Sequence, residues 1–200
     1  TRAWAHREGL EPYDTRRHTG LLRFLAVREG IRTGQVMVNL VASQPHPSFP
    51  DYAERIRARF PSVASVVLNL TRRKAQIAVG EEERVLSGSD RIEEVLGGLT
   101  FQISSGSFFQ TNTVQAERLL ETALEGLALS GPERVLDVYS GTGTFTLPIA
   151  GRAAEVVGIE SSESAVRDAE RNAARNRIAN VRFVRADAED ALRAAAADSY

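Results

Sequence analysis

The run Arg134-Val-Leu-Asp137-Val-Tyr139-Ser-Gly141-Thr-Gly143-Thr144-Phe-Thr-Leu-Pro148 decides the fold. It opens with a short buried strand over Val135–Val138 and carries an acid, Asp137, at that strand's end. It then crosses a Gly-x-Gly loop straight into a helix start at Phe145–Ala150. Glycines in such a loop let the backbone approach a ligand closely, and a helix start supplies amide donors. The alternation continues downstream with strand Glu155–Ile159, helix Ser162–Asn176, strand Val181–Val184 and helix Ala188–Ala196. Units this short imply parallel βαβ crossovers, and so a doubly wound α/β sheet.

Three acids fall at successive strand ends: Asp137, Glu160 and Asp187. Glu160 stands where Rossmann-like sheets place a carboxylate for ribose hydroxyls, and Asp187 where an acceptor meets an adenine amino group. Each acid alone reads equally well as a turn or cap residue. Together, in this order, they favour an adenosine ligand. A dinucleotide needs a third glycine and room for a pyrophosphate, but Phe145-Thr146 fill that region, which disfavours NAD. No Gly-Lys-Ser/Thr follows, so a P-loop is excluded. S-adenosylmethionine, which carries no phosphate, suits the acid-lined site, and a methyltransferase is the leading enzyme class.

Upstream, Asn112-Thr-Val-Gln115 is a capping box, followed by Ala116, Leu119, Leu120, Ala123, Leu124 and Leu127 at helical spacing. Gly97-Gly98 marks the internal boundary. It predicts a mixed α+β domain over 1–98 and a partial Rossmann-like domain over 99–200, with Leu99–Ile103 as a further strand. In the first domain Leu21–Arg28 and Gln35–Ala42 read as a hairpin, and Pro50–Phe60 as a helix with proline near its start. Val63–Leu70 and Lys74–Gly80 read as a second hairpin around Thr71-Arg72-Arg73. Strands, helix, then strands predict a small open sheet with a helix on one face.

The chain contains no cysteine. Disulfides, Cys-based zinc or iron–sulfur ligation and a thiolate nucleophile are therefore excluded within these 200 residues. A net charge of −1 makes no overall electrostatic case for nucleic acid, but the distribution is uneven. Arg2, Arg7, Arg16, Arg17, His18, Arg23, Arg28 and Arg32 crowd the first third, where they either meet phosphate or form a solvated surface. Neither a membrane-length apolar run nor a signal-peptide pattern is present, so a cytoplasmic monomer is the default expectation. The lack of an initiating methionine, and an end at Arg193-Ala-Ala-Ala-Ala-Asp198-Ser-Tyr200 where another strand would start, predict an excised fragment.

Two stretches carry a more specific resemblance. Leu136-Asp-Val-Tyr-Ser-Gly-Thr-Gly-Thr-Phe-Thr-Leu-Pro148 resembles the Asp-Leu-Tyr-Cys-Gly-x-Gly-x-Phe-x-Leu signature of bacterial RNA (uracil-5-)-methyltransferases. Gly106-Ser-Phe-Phe-Gln110-Thr-Asn112 resembles that family's Ser-Phe-Phe-Gln-x-Asn motif. The spacing between the two also matches. Glu160, Asn172, Asn176 and Asn180 continue the likeness. Tyr13-Asp-Thr-Arg16, Gly20-Leu-Leu-Arg23, Arg28-Glu-Gly30 and Thr33-Gly-Gln-Val-Met-Val-Asn39 extend it into a central domain that helps hold RNA. Ser140 stands where the family usually has cysteine, a small-for-small change expected to leave binding intact. Thr111 and Thr113 stand where Val and Pro are common.

The resemblance implies that Gln110, Tyr139, Thr144, Glu160 and Asp187 contact S-adenosylmethionine beside Asp137, Gly141 and Gly143. It implies that Phe108 and Phe109 line the uracil pocket, with packing beneath the cofactor loop as the alternative for both. It also implies methylation of uridine C5 in RNA, with 23S rRNA placed ahead of tRNA. The family's chemistry uses a cysteine thiolate that adds to C6 and a carboxylate base that removes the C5 proton. Nucleophile and base are both expected beyond Tyr200, which would leave the fragment inactive and its cofactor affinity weak. An RNA-binding module without catalysis and a small-molecule methyltransferase are the competing readings.

Overall fold

The computed structural model describes residues 1–74 and 80–197, with side chains as far as Arg193. The chain forms two compact units, Thr1–Ile92 and Glu93–Tyr200. The first begins with helix α1 (Arg2–Arg7) and continues through β1 (Leu22–Glu29), β2 (Val36–Ala42), α2 (Phe49–Arg59), β3 (Val63–Leu70) and β4 (Glu82–Gly88). Its four strands pair in chain order, β1 with β2 antiparallel, β2 with β3 parallel and β3 with β4 antiparallel. The parallel pair is possible because α2 carries the chain back across the sheet. Pro50 lies in the first turn of α2, where its missing N–H costs nothing. Trp4, Leu40, Phe49, Tyr52 and Leu68 pack together as the core of this unit.

The returning strand expected over Lys74–Gly80 falls chiefly on 75–79, outside the described residues. The antiparallel partner of β3 is β4, a strand with no apolar alternation, in which five of seven residues, Glu82 to Val85 and Gly88, are exposed. α1 likewise forms where no helix was expected, its stripe reduced to one buried residue, Trp4.

β5 (Arg91–Leu96) runs across the junction and pairs with β6 (Leu99–Ser104), so that Gly97-Gly98, expected as the domain boundary, is instead the hairpin turn. Both glycines take positive φ, +58° and +79°. The second unit then alternates α3 (Thr113–Leu127), β7 (Arg134–Val138), α4 (Thr146–Ala150), β8 (Glu155–Glu160), α5 (Glu163–Arg175), β9 (Val181–Arg185) and α6 (Ala188–Ala197). β7, β8 and β9 form an all-parallel sheet in that order, the Rossmann-like α/β class expected.

β8, flanked on both sides, is buried over four of its six residues. β7 was expected to be buried but is only half-buried, because it lies at an edge of the three described strands. No described helix is long and apolar enough to cross a membrane.

Candidate cofactor site

Parallel strands deliver their carboxyl ends to one edge of the sheet, and the loop Tyr139–Thr144 occupies that edge. Tyr139 turns the chain out of β7 with φ +67°, a left-handed conformation that costs a non-glycine residue roughly 1–2 kcal/mol. Its ring is 76% exposed, so no packing offsets that cost. Ser140 brings the loop back, its amide donating to the Ile159 carbonyl of β8 at 2.9 Å. Gly143 has φ +84°, and a Cβ there would press on Leu147 and Phe183 at 3.2 and 3.3 Å.

The strand-end acids have three different surroundings. Glu160 grips the loop: one oxygen accepts from the Gly141 amide at 3.1 Å, and the other from the Ser162 amide at 2.8 Å. Asp137 is partly buried, and the resulting desolvation pushes its pKa up. A 2.5 Å hydrogen bond donated by the Thr146 hydroxyl partly opposes the rise. Asp187 is exposed and caps α6, accepting from the Glu189 amide at 2.9 Å. Thr144 is buried, with its hydroxyl 3.3 Å from that of Thr142.

The Ser104–Asn112 loop leads from β6 to α3. Asn112 caps α3 by accepting from the Gln115 amide at 3.1 Å. Phe108 and Phe109 diverge in this loop. Phe109 is 5% exposed and tilts against Phe101 at 5.6 Å between ring centres, whereas Phe108 is 71% exposed. Gln110 is half-buried.

Both loops are tied to one helix. Small residues Ala165, Ala169 and Ala173 bring α5 close to its neighbours, and Asp168, Asn172 and Asn176 repeat at four-residue spacing on it. The Asn176 carboxamide accepts from Thr100 N at 3.0 Å and donates to Thr100 O at 2.8 Å. Asn172 repeats this with Gln102 N at 2.7 Å and O at 3.3 Å. It also donates to Thr142 O in the glycine loop at 3.1 Å. Four helical residues advance about 6.0 Å and two strand residues about 6.6 Å, so the side-chain row keeps pace with alternate residues of β6. Asp168 lies outside the motifs that the sequence marks. Its signal is the polar period of four set beside a buried alanine stripe.

A cleft of ≈ 610 Å³ between α3 and α4, lined by Leu120, Leu124, Leu147 and Pro148, contains none of the predicted site residues. The glycine loop and the strand-end acids lie instead at the carboxyl edge of the parallel sheet.

This arrangement, a glycine loop at the end of one parallel strand held by a carboxylate at the end of the next, is that of a Rossmann-like methyltransferase sheet. The sequence pattern of the tRNA (uracil-5-)-methyltransferase family matches residues 55–199. An uncharacterised RNA methyltransferase of Streptococcus mutans is 42% identical over 96% of this chain and 43% of its own length. Another, of Chlorobaculum tepidum, is 43% identical over 93% of this chain and 39% of its own. The crystal structure of the Pyrococcus abyssi tRNA (uracil-54, C5)-methyltransferase in complex with S-adenosyl-L-homocysteine superposes with a TM-score of 0.76. It is 30% identical and covers 93% of this chain and 44% of that one. The chain belongs to the tRNA (uracil-5-)-methyltransferase family. It spans under half the length of these relatives.

Proposed function

We propose that the protein to which these residues belong methylates C5 of uridine in RNA, and that this chain supplies the S-adenosylmethionine side of the site. The observation that carries the proposal is the Glu160 carboxylate bonded to the Gly141 amide, beside a tyrosine held in a left-handed turn. Strain that no local packing offsets is retained where a ligand uses it. The residues suit an adenosine group without phosphates. Acids stand at the strand ends, and Glu160 is positioned to turn from Ser162 and Gly141 toward ribose hydroxyls.

In this reading Asp187 offers its carboxylate to an adenine amino group, while Gly141 and Gly143 admit the ligand close to the backbone. Gln110, Tyr139, Thr144 and Asp137 complete the wall. The bound cofactor supplies an electrophilic methyl group. Phe108 presents an unpacked aromatic face to uracil, and Phe109, packed on Phe101, forms the floor beneath it. The basic first unit, with exposed Arg16, Arg17 and His18, holds RNA through phosphate contacts. With no cysteine here, the attacking thiolate comes from other residues of the protein.

Calorimetric titration of S-adenosylhomocysteine into the full-length protein and its Glu160→Ala variant tests the cofactor side. A loss of about tenfold or more is expected, since charge-assisted hydrogen bonds are at stake. Equal affinities would remove Glu160 from the site. Methyl transfer to transcribed 23S rRNA and to tRNA, with 5-methyluridine as the readout, tests the substrate. The proposal ranks 23S rRNA first. Methylation of neither RNA would overturn it.

A further inference from the structure

The ladder from α5 to β6 changes at its last rung. Asn176 and Asn172 each accept from a strand amide and donate to a strand carbonyl. At the third position Asp168, only 2% exposed, has no donor with which to continue the pattern. Its Oδ2 still accepts from the Ser104 amide at 3.3 Å. It also gathers two hydroxyls, Ser104 Oγ and Ser107 Oγ, both at 2.6 Å. Those hydroxyls lie 2.9 Å apart. The other carboxylate oxygen faces the Arg171 guanidinium at 3.8 Å.

The carboxylate therefore takes hold of the chain where β6 ends and the loop begins. Ser107 directly precedes Phe108, and Gln110 lies three residues further on. One helical turn away, Asn172 holds Thr142 of the glycine loop. Short charge-assisted hydrogen bonds to a buried carboxylate are stiff, and both ends of this brace sit on one helix.

We infer that Asp168 is a positioning residue, which through Ser107 holds Phe108 at a set distance from the glycine loop. The inference rests on the reading that Phe108 lines the uridine pocket. Asp168 touches neither substrate nor cofactor. Its contribution is to keep an exposed aromatic ring, which has no packing of its own, from wandering away from the reacting face.

The test is a set of three double-mutant cycles in the full-length protein, read as kcat/KM for RNA methylation below the melting temperature of every variant. Phe108→Ala alone tests the underlying reading, and an unchanged kcat/KM there would end that reading and this inference together. Given a loss in Phe108→Ala, Asp168→Ala is expected to lose about 10- to 100-fold, as misplacement of a substrate group does. The Asp168/Phe108 double variant should be little worse than either single one, because both remove the same contact. Asp168→Ala with Glu160→Ala should be multiplicative. Asp168→Asn, whose amide oxygen still accepts from Ser107, should stay within about threefold of the parent. Ser107→Ala, which spares the Ser104 anchor, covers the case in which Asp168→Ala fails to fold, and should show the same non-additivity with Phe108→Ala. Multiplicative losses with Phe108→Ala, or a Ser107→Ala variant with unchanged kcat/KM, would overturn the inference.

Discussion

Tyr139 occupies a backbone conformation that glycine would adopt without cost. Tyr139→Gly removes the steric cost and adds a similar entropic one. Its stability in urea is therefore expected to match the parent within about 1 kcal/mol, while S-adenosylhomocysteine binds more weakly. A large loss of stability with unchanged binding would make the tyrosine structural.

Ser140 shows the opposite imbalance. Its hydroxyl is buried without a hydrogen-bond partner among the described residues, at the position where the signature that this loop resembles carries cysteine. A thiol tolerates that isolation better than a hydroxyl. Ser140→Ala should raise stability by about 1 kcal/mol in a urea melt, the penalty of an unsatisfied buried hydroxyl.

Asp137 yields a pH prediction. Burial raises its folded pKa above the ordinary 3.8, so the folded state holds the proton more tightly than the unfolded chain does. Stability must then fall as pH rises from the ordinary carboxyl value through the raised one, and stay lowered above it. Asp137→Asn should therefore be the more stable protein at neutral pH, with the gap closing below about pH 3.8. Parallel stability–pH curves for the two proteins would contradict this.

Among the elements, α3 and α5 differ in what holds them. α3 begins at a local cap that was legible in four consecutive residues, because the Asn112 side chain bonds an amide three positions on. Asn112→Ala should cost about 1 kcal/mol, as cap removal usually does. α5 is held by bonds to residues seventy positions away, which no local pattern announces. Asn172 is fully buried and serves Gln102 N, Gln102 O and Thr142 O. Asn172→Ala orphans all three, and a loss of about 3 kcal/mol or more in thermal or urea unfolding is expected. A cost below 1 kcal/mol would mean that water replaces the carboxamide. β4 has no local signature for a related reason: an edge strand that opens Glu82-Glu-Arg-Val85 is specified by its partner β3, not by its own alternation.

At the scale of the molecule, the chain carries a basic first unit and a second unit with a glycine loop and strand-end acids, and its sequence contains no cysteine. Under the proposed function the isolated 200-residue chain is expected to produce no 5-methyluridine when incubated with RNA and S-adenosylmethionine, and the full-length protein is expected to produce it. Nucleoside analysis by mass spectrometry distinguishes the two, and product from the short chain would sink the thiolate account.

The sequence by itself determined the order of strands and helices from β6 onward, the glycine loop, the acids at the strand ends and the family likeness. Each is written in local spacing, in a cap, a turn or an apolar period. Only the tertiary structure decided that β2 and β3 run parallel, that Phe108 is exposed while Phe109 is packed, and that Glu160 grips Gly141. It alone decided that Asp137 is desolvated and that one face of α5 holds both loops. These depend on which distant residues supply hydrogen-bond partners and exclude water, and chain order does not encode that locally.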